Sequence, residues 1–347
     1  MTTDARQPAP GIQFCTRNAL IRIIALLFVL GLITAGCGIF MVRMPGESYA
    51  GALVPLSTAE EDLKADLYRD LAYLAETIGD RNLASRNELQ QAADWLAAAF
   101  AAAGYEVQHQ AYDVSGIEVE NLSVELQGTT KPEEIIVVGG HYDSVAGCPG
   151  ANDNGSGTVA TLALARAFAG KNLDRTVRFV AFVNEEPPYF AQESMGSLVY
   201  ARACHARNDN VIAMLSLETI GYYSDEPGNQ QYPSPFNLVY PDTGNFVAVV
   251  GNTKSRSLVR RVVREFRAQN NFPCEGIATF GFLPGIGWSD HWAFWQVGYP
   301  AIMLTDTAPF RYPHYHTPED TPDKIDYDRF TRVIANLIPV ITELATE

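Results

Sequence analysis

"EEIIVVGGHYDSVAGCPGANDNGSGTVATLALARAFAG", residues 133–170, holds a strand, a loop and a helix in succession. Residues 133–140 form an apolar, β-branched run, the pattern of a strand buried on both faces. After Ser156 the apolar residues recur at three and four, the helical period, as far as Gly170. The same alternation continues downstream. "TVRFVAFV" (176–183), "VIAMLSL" (211–217) and "YPAIMLTD" (299–306) read as further strands, "GSLVYARACHAR" (196–207) as a helix, and a last helix begins near Asp326.

Upstream, a helical pattern opens at Ser57 and Thr58 with early acids and stops at Gly79, and a second runs from Asn87 to Ala103 before Gly104. "YEVQHQAYDV" (105–114) and "ENLSVELQG" (120–128) alternate instead of running continuously, so they are expected as antiparallel edge strands. These patterns predict an α/β fold: one globular domain, residues 56–347, with a central mixed, mostly parallel β-sheet flanked by helices.

Before that domain, "IIALLFVLGLITAGCGIFMV" (23–42) carries no charge and is long enough to cross a bilayer as a helix. Arg6, Arg17 and Arg22 against Asp4 precede it, so the positive-inside rule assigns residues 1–22 to a short cytoplasmic tail. Residues 43–55 are then a linker, and the domain lies outside the cytoplasm, periplasmic or extracellular. A cleaved signal peptide is the alternative, and "TAGC" ending at Cys37 is similar to a lipoprotein cleavage site; both also export the domain.

With 347 residues and 47% apolar content the chain can bury a full core. Its net charge of −15 argues against a nucleic-acid footprint and favours cations. The five cysteines show no C-x-x-C spacing, which argues against a cysteine zinc site; Cys204 and Cys274 are either paired or free buried thiols.

Ligands of an open α/β sheet bind beyond the carboxyl ends of its strands. There the sequence places His141 and Asp143, then "NEE" (184–186), then Glu218, and finally His316. Imidazole and carboxylate donors together suit zinc, whereas oxygen donors alone would indicate calcium or magnesium. Asp143, two residues past His141, is placed to accept the ring's second N–H. Asp153 has two carboxylate oxygens with which to bridge two cations. Adjacent Glu185 and Glu186 leave a strand in different directions, so that one can hold metal while the other takes a proton from a metal-activated water. Asn152 and Asn154 read as turn formers.

"GGHYDS" (139–144), "GANDNGSG" (150–157), "NEE" followed by "MGS" (195–197), and "YHTPEDT" (315–321) together resemble the co-catalytic zinc aminopeptidase family, over roughly residues 60–347. That family also contains glutamate carboxypeptidases and glutaminyl cyclases. The resemblance implies an exopeptidase fold, two zinc ions, His141, Asp153, Glu186, Glu218 and His316 as ligands, and Glu185 as general base. Glu218 departs from the pattern, because peptidases of the family commonly carry aspartate there. The motif selects His316 over His314, Asp290 and His291 are supporting or structural residues, Asp320 is a supporting acid or a turn cap, and His109 and His205 are ordinary surface or core residues. Tyr222, Tyr223, Phe282 and Trp288 are candidates to line a side-chain pocket.

The expected function is a membrane-tethered metallo-aminopeptidase acting on peptides. The alternatives are a one-zinc acyltransferase of glutaminyl cyclase type and a non-catalytic binding domain of the same fold.

Overall fold

Ser57 and Glu60 start the domain with a reciprocal cap: Ser57 Oγ accepts the Glu60 N–H at 3.3 Å, and Glu60 Oε2 accepts the Ser57 N–H at 2.8 Å. Such a cap contributes about 1 kcal/mol. It opens helix α2 (Thr58–Ala72), which runs on through a wider turn, Tyr73–Ile78, and ends at Gly79 with φ +85°. Helix α3 (Arg86–Ala102) follows.

The computed structural model describes residues 17–346. Asp4, Arg6, Cys15 and most of the expected cytoplasmic tail lie outside the described residues. Helix α1 (Arg17–Val42) covers the expected span and extends it by six residues at its start. Its 26 residues give about 39 Å, enough for a hydrocarbon layer of about 30 Å.

Eight strands form one sheet: β1 (Gln108–Val114), β2 (Ile117–Leu126), β3 (Lys131–His141), β4 (Arg175–Phe182), β5 (Asn210–Glu218), β6 (Val247–Asn252), β7 (Cys274–Thr279) and β8 (Ala301–Thr305). Their spatial order is β1-β2-β4-β3-β5-β8-β6-β7. The β4-β3-β5-β8 centre is parallel, as is β6 with β7, while β1-β2, β2-β4 and β6-β8 are antiparallel. The mixed, mostly parallel sheet is thus present, with β1 and β2 antiparallel at one edge. The sequence patterns did not reveal β6 and β7, which are short, nor helix α6 (Arg256–Ala268) between them.

Both faces of the sheet are covered because its residues alternate. Ile136 and Val138 of β3 face a core shared with α2, α3, α4 (Gly157–Phe168), α6 and α8 (Tyr327–Thr346). Ile135 and Val137 face a second core under α5 (Gly196–Ala206) and α7 (His291–Gln296). The third cluster, Ala248, Val250, Ile277 and Met303 on β6, β7 and β8, is covered by the connection after β5 through Tyr232, Phe236 and Tyr240. A loop in place of a helix leaves a cavity there.

Residues 43–55, expected as a linker, are bound along the domain. Arg260 donates to the Arg43 carbonyl at 2.6 Å, and Arg267 to the Pro45 and Gly46 carbonyls at 3.2 and 3.0 Å. Ser48 Oγ accepts the Cys274 N–H at 3.0 Å, and Met44 packs against the core. Cys204 and Cys274 are free thiols in different clusters, so that pairing is not formed.

Candidate metal centre

The loop between β3 and α4 delivers the first donors. His141 ends β3, and its backbone carbonyl accepts from Thr158 Oγ1 at 2.6 Å, tying the strand end to α4. A Cβ at Gly157 would collide with the Leu217 carbonyl, so only glycine lets α4 start this close to β5. Asp153 is held by its backbone: Asp320 accepts the N–H groups of Asn152 and Asp153 at 2.8 and 3.0 Å and the Tyr312 hydroxyl at 2.7 Å. Asp320 is therefore a supporting acid.

Two donor triads share one residue. His141, Asp153 and Glu218 offer donor atoms all within 4.8 Å of one another, and so do Asp153, Glu186 and His316. Asp153 Oδ1 lies 3.7 Å from His141 Nε2, and its Oδ2 lies 3.0 Å from His316 Nε2. Glu218 Oε2 is 3.3 Å from His141 Nε2, and Glu186 Oε2 is 3.2 Å from His316 Nε2. Despite its extra methylene, Glu218 joins the cluster, with Ser289 Oγ donating to its Oε2 at 2.8 Å. Glu185 belongs to neither triad; its Oε2 stands 3.7 Å from His141 Nε2.

These donors fit a cation. His141 Nε2, Asp153 Oδ2, Glu186 Oε1 and His316 Nε2 are buried without a hydrogen-bond partner, an expensive condition unless something positive lies between them. Burial and the Asp153 charge push the Glu186 carboxyl up to about 8, and burial raises Glu185 well above the carboxylate range. Nitrogen and oxygen donors in groups of three match zinc.

Asp143 stands at the ring and at the acid pair together. The His141 Nδ1 lies 3.2 Å from the Asp143 backbone carbonyl and 3.4 Å from its carboxylate. The carboxylate also accepts the N–H groups of Glu185 and Glu186 at 3.2 and 3.1 Å, and so orients the acid pair. Asn152 and Asn154 are more than turn formers. Asn152 donates to Asp306 Oδ2 at 2.9 Å, while Asn154 donates to the Leu217 carbonyl at 2.8 Å and accepts the Thr219 N–H at 3.0 Å. His314 packs on Tyr312 outside both triads. His291 is structural, fully buried, with Nε2 donating to the Ile286 carbonyl at 2.8 Å.

Sequence reasoning missed Arg81. This fully buried guanidinium donates to the carbonyls of Tyr142 at 2.8 Å, Pro149 at 2.6 Å, Gly150 at 3.1 Å and Gly79 at 2.7 Å. It pins the segments carrying His141 and Asp153, yet lies in an unpatterned loop that no spacing marks.

The family comparison matches this geometry. The chain matches the model for Peptidase family M28 over residues 121–341. It belongs to that family. The Escherichia coli K12 protein YfbL, itself uncharacterised, is 34% identical over 294 residues, 82% of this chain and 90% of that protein. A probable leucine aminopeptidase of Arthroderma otae is 26% identical over 306 residues, 81% of this chain and 72% of that protein. BSAP, a zinc aminopeptidase from Bacillus subtilis, shares the fold with a TM-score of 0.66 at 16% identity, over 82% of this chain and 95% of that one.

In this M28 peptidase the uncovered part of the sheet opens beside the triads. A cavity of about 830 Å³, open mouth included, runs from Glu218 and Tyr315 between Phe236, Phe246, Ile286 and Met303. Its walls are overwhelmingly apolar. Of the four pocket candidates only Trp288 lines it; Tyr223 is buried elsewhere, and Phe282 is 81% exposed.

Proposed function

We propose that this M28 peptidase is a zinc-dependent aminopeptidase that binds two ions. His141, Asp153 and Glu218 would hold one, and Asp153, Glu186 and His316 the other. One observation carries the reading: Asp153 belongs to both triads while Glu185, next to a ligand, belongs to neither. Zinc held by these donors would supply a Lewis acid for the scissile carbonyl and lower the pKa of the attacking water.

The chain's own groups supply the remainder. Glu185, oriented through the Asp143 contact to its N–H, takes the water proton and returns it to the departing amine. The carboxylates at the cavity's inner end attract a free α-amine, and the apolar walls take the side chain of a bulky N-terminal residue. A one-zinc acyltransferase needs a single triad, and a silent binding domain needs no base, whereas this chain has both triads and the base. The apolar α1 supports membrane association, as an anchor or an export signal, with the catalytic unit outside the cytoplasm.

The test is hydrolysis of a panel of aminoacyl anilides with and without chelator, in wild type and Glu185→Gln. The variant is expected to retain its zinc and lose roughly 10²- to 10⁴-fold in kcat. Near wild-type turnover in that variant defeats the base assignment.

A further inference from the structure

The site does not account for one surface at the end of the sheet where β6 and β7 finish. The chain carries a net charge of −15, yet Lys254, Arg256 and Arg260 lead into and along α6, and the Arg43 backbone is bound to Arg260. Arg256 and Arg260 are four residues apart on one helix face, a like-charge spacing that destabilises an isolated helix. Burial, together with the Arg260 charge, lowers the Arg256 pKa. Arg261 and Arg264, further round the helix, are paired with Glu343 and are a separate group.

Beside this basic stripe stands an apolar one. Phe280 and Phe282, on the loop leaving β7, stack with ring centroids 5.5 Å apart, and they are 48% and 81% exposed. A Cβ added at Gly281 between them would lie 3.7 Å from the Asn252 Cβ, so the pair adjoins the segment that carries Lys254. Two stacked phenylalanines left in water next to lysine and arginine have the make-up of an interfacial lipid contact.

The chain path says what covers it. Helix α1 ends at Val42, and the next residue, Arg43, is already fixed to Arg260, with Pro45 and Gly46 fixed to Arg267. In the chain, therefore, the apolar helix is followed directly by a residue of this face.

We propose that the face formed by Arg43, Lys254, Arg256, Arg260 and the Phe280–Phe282 pair rests on an anionic phospholipid surface. The phenylalanines enter the headgroup boundary and the bases pair with lipid phosphates. This rests on the reading of α1 as a membrane span. The Phe280 loop continues through Pro284, Ile286 and Trp288 into the cavity wall, so peptide N-termini would reach the cavity from the lipid boundary.

The test is hydrogen exchange on the full chain in phosphatidylcholine nanodiscs, with and without phosphatidylglycerol, following residues 252–264 and 279–288. Exchange is expected to slow roughly tenfold in the anionic discs, and to speed up again in a Lys254→Glu, Phe282→Asp double variant that stays in the disc. Equal exchange in both lipids, with the chain retained through an alkaline wash, overturns the proposal and leaves the span intact. Protection that follows the number of chains per disc instead of lipid charge assigns the face to a second copy and also overturns it. Loss of the chain from the discs in the wash removes the span itself, and the docking face with it.

Discussion

The two donor triads differ in how they are enclosed. His141, at 1% exposure, and Glu218, at 8%, sit at the ends of neighbouring central strands, braced by Thr158 and Ser289. The other triad depends on His316, half-buried on a loop with φ +57°, its ring stacked on Tyr315 at 3.9 Å. One half is set by the sheet, and the other by a loop in the left-handed region, which a side chain beyond glycine enters at a cost. The strand half would therefore be pre-formed and exchange an ion slowly. The loop half would be the more adjustable, with His316 partly open to solvent.

The largest effect should come from the residue the halves share. Asp153→Ala removes a donor from both triads at once, and zinc content is expected to fall from two equivalents to near none. Each ion contributes several kcal/mol of charge stabilisation, so kcat/KM should drop by roughly 10⁴-fold or more. Metal analysis of the purified variant is the check. If two ions remain, the halves do not meet at Asp153.

Next come the histidines, one from each half. His141→Ala and His316→Ala should each leave one equivalent of zinc. Activity in His316→Ala is expected to return partly with excess zinc or added imidazole, because that position is open to solvent. The buried His141 position should not respond. A weak chelator should likewise empty the His316 half first, giving a biphasic loss of metal in a competition assay. Equal recovery of both variants would erase the distinction between the halves.

A smaller effect tests the support behind the strand half. His291 follows Ser289 and Asp290, and burial pushes its imidazole down to about 4 from 6.5. A depressed histidine is neutral in the folded chain and protonated in the unfolded chain below 6.5. Its share of stability is therefore complete above pH 6.5 and is lost as pH falls toward 4, up to about 3 kcal/mol. His291→Gln keeps a donor for the Ile286 carbonyl and should flatten that acid limb in denaturant titrations between these pH values.

The same contrast explains what was legible in the sequence. Residues whose place follows from strand ends, His141, Glu185, Glu186 and Glu218, were found because long apolar runs announce the strands and chemistry sits at their exits. His316 lies well beyond the end of β8, and it took the "YHTPEDT" motif to select it over His314. Arg81 was invisible: its three nitrogens act on five backbone carbonyls, and any sequence can offer carbonyls. Strand β7 was missed because "CEGIAT" is interrupted by glutamate and glycine, and β6, "VAVVGN", was missed although its run is as apolar as that of β8. The cavity they floor was missed with them. Asp143 was noticed for its distance from His141, but its main partners, the N–H groups of Glu185 and Glu186, depend on β3 and β4 lying side by side.

Trp288 should give the smallest effect, and it reports on specificity alone. Its ring lies 6.2 Å from Phe310 at 15° and walls the cavity, while neither residue belongs to a triad. Trp288→Ala keeps both ions and the base, so turnover of an alanyl anilide should hardly change. A leucyl or phenylalanyl anilide loses an aromatic contact of about 1 kcal/mol, which raises KM roughly fivefold at similar kcat. The loss should grow with side-chain size, because small side chains do not reach the wall. A uniform loss across the panel would instead mean that Trp288 supports the His316 half of the centre, and that the cavity and the metal site are one mechanical unit.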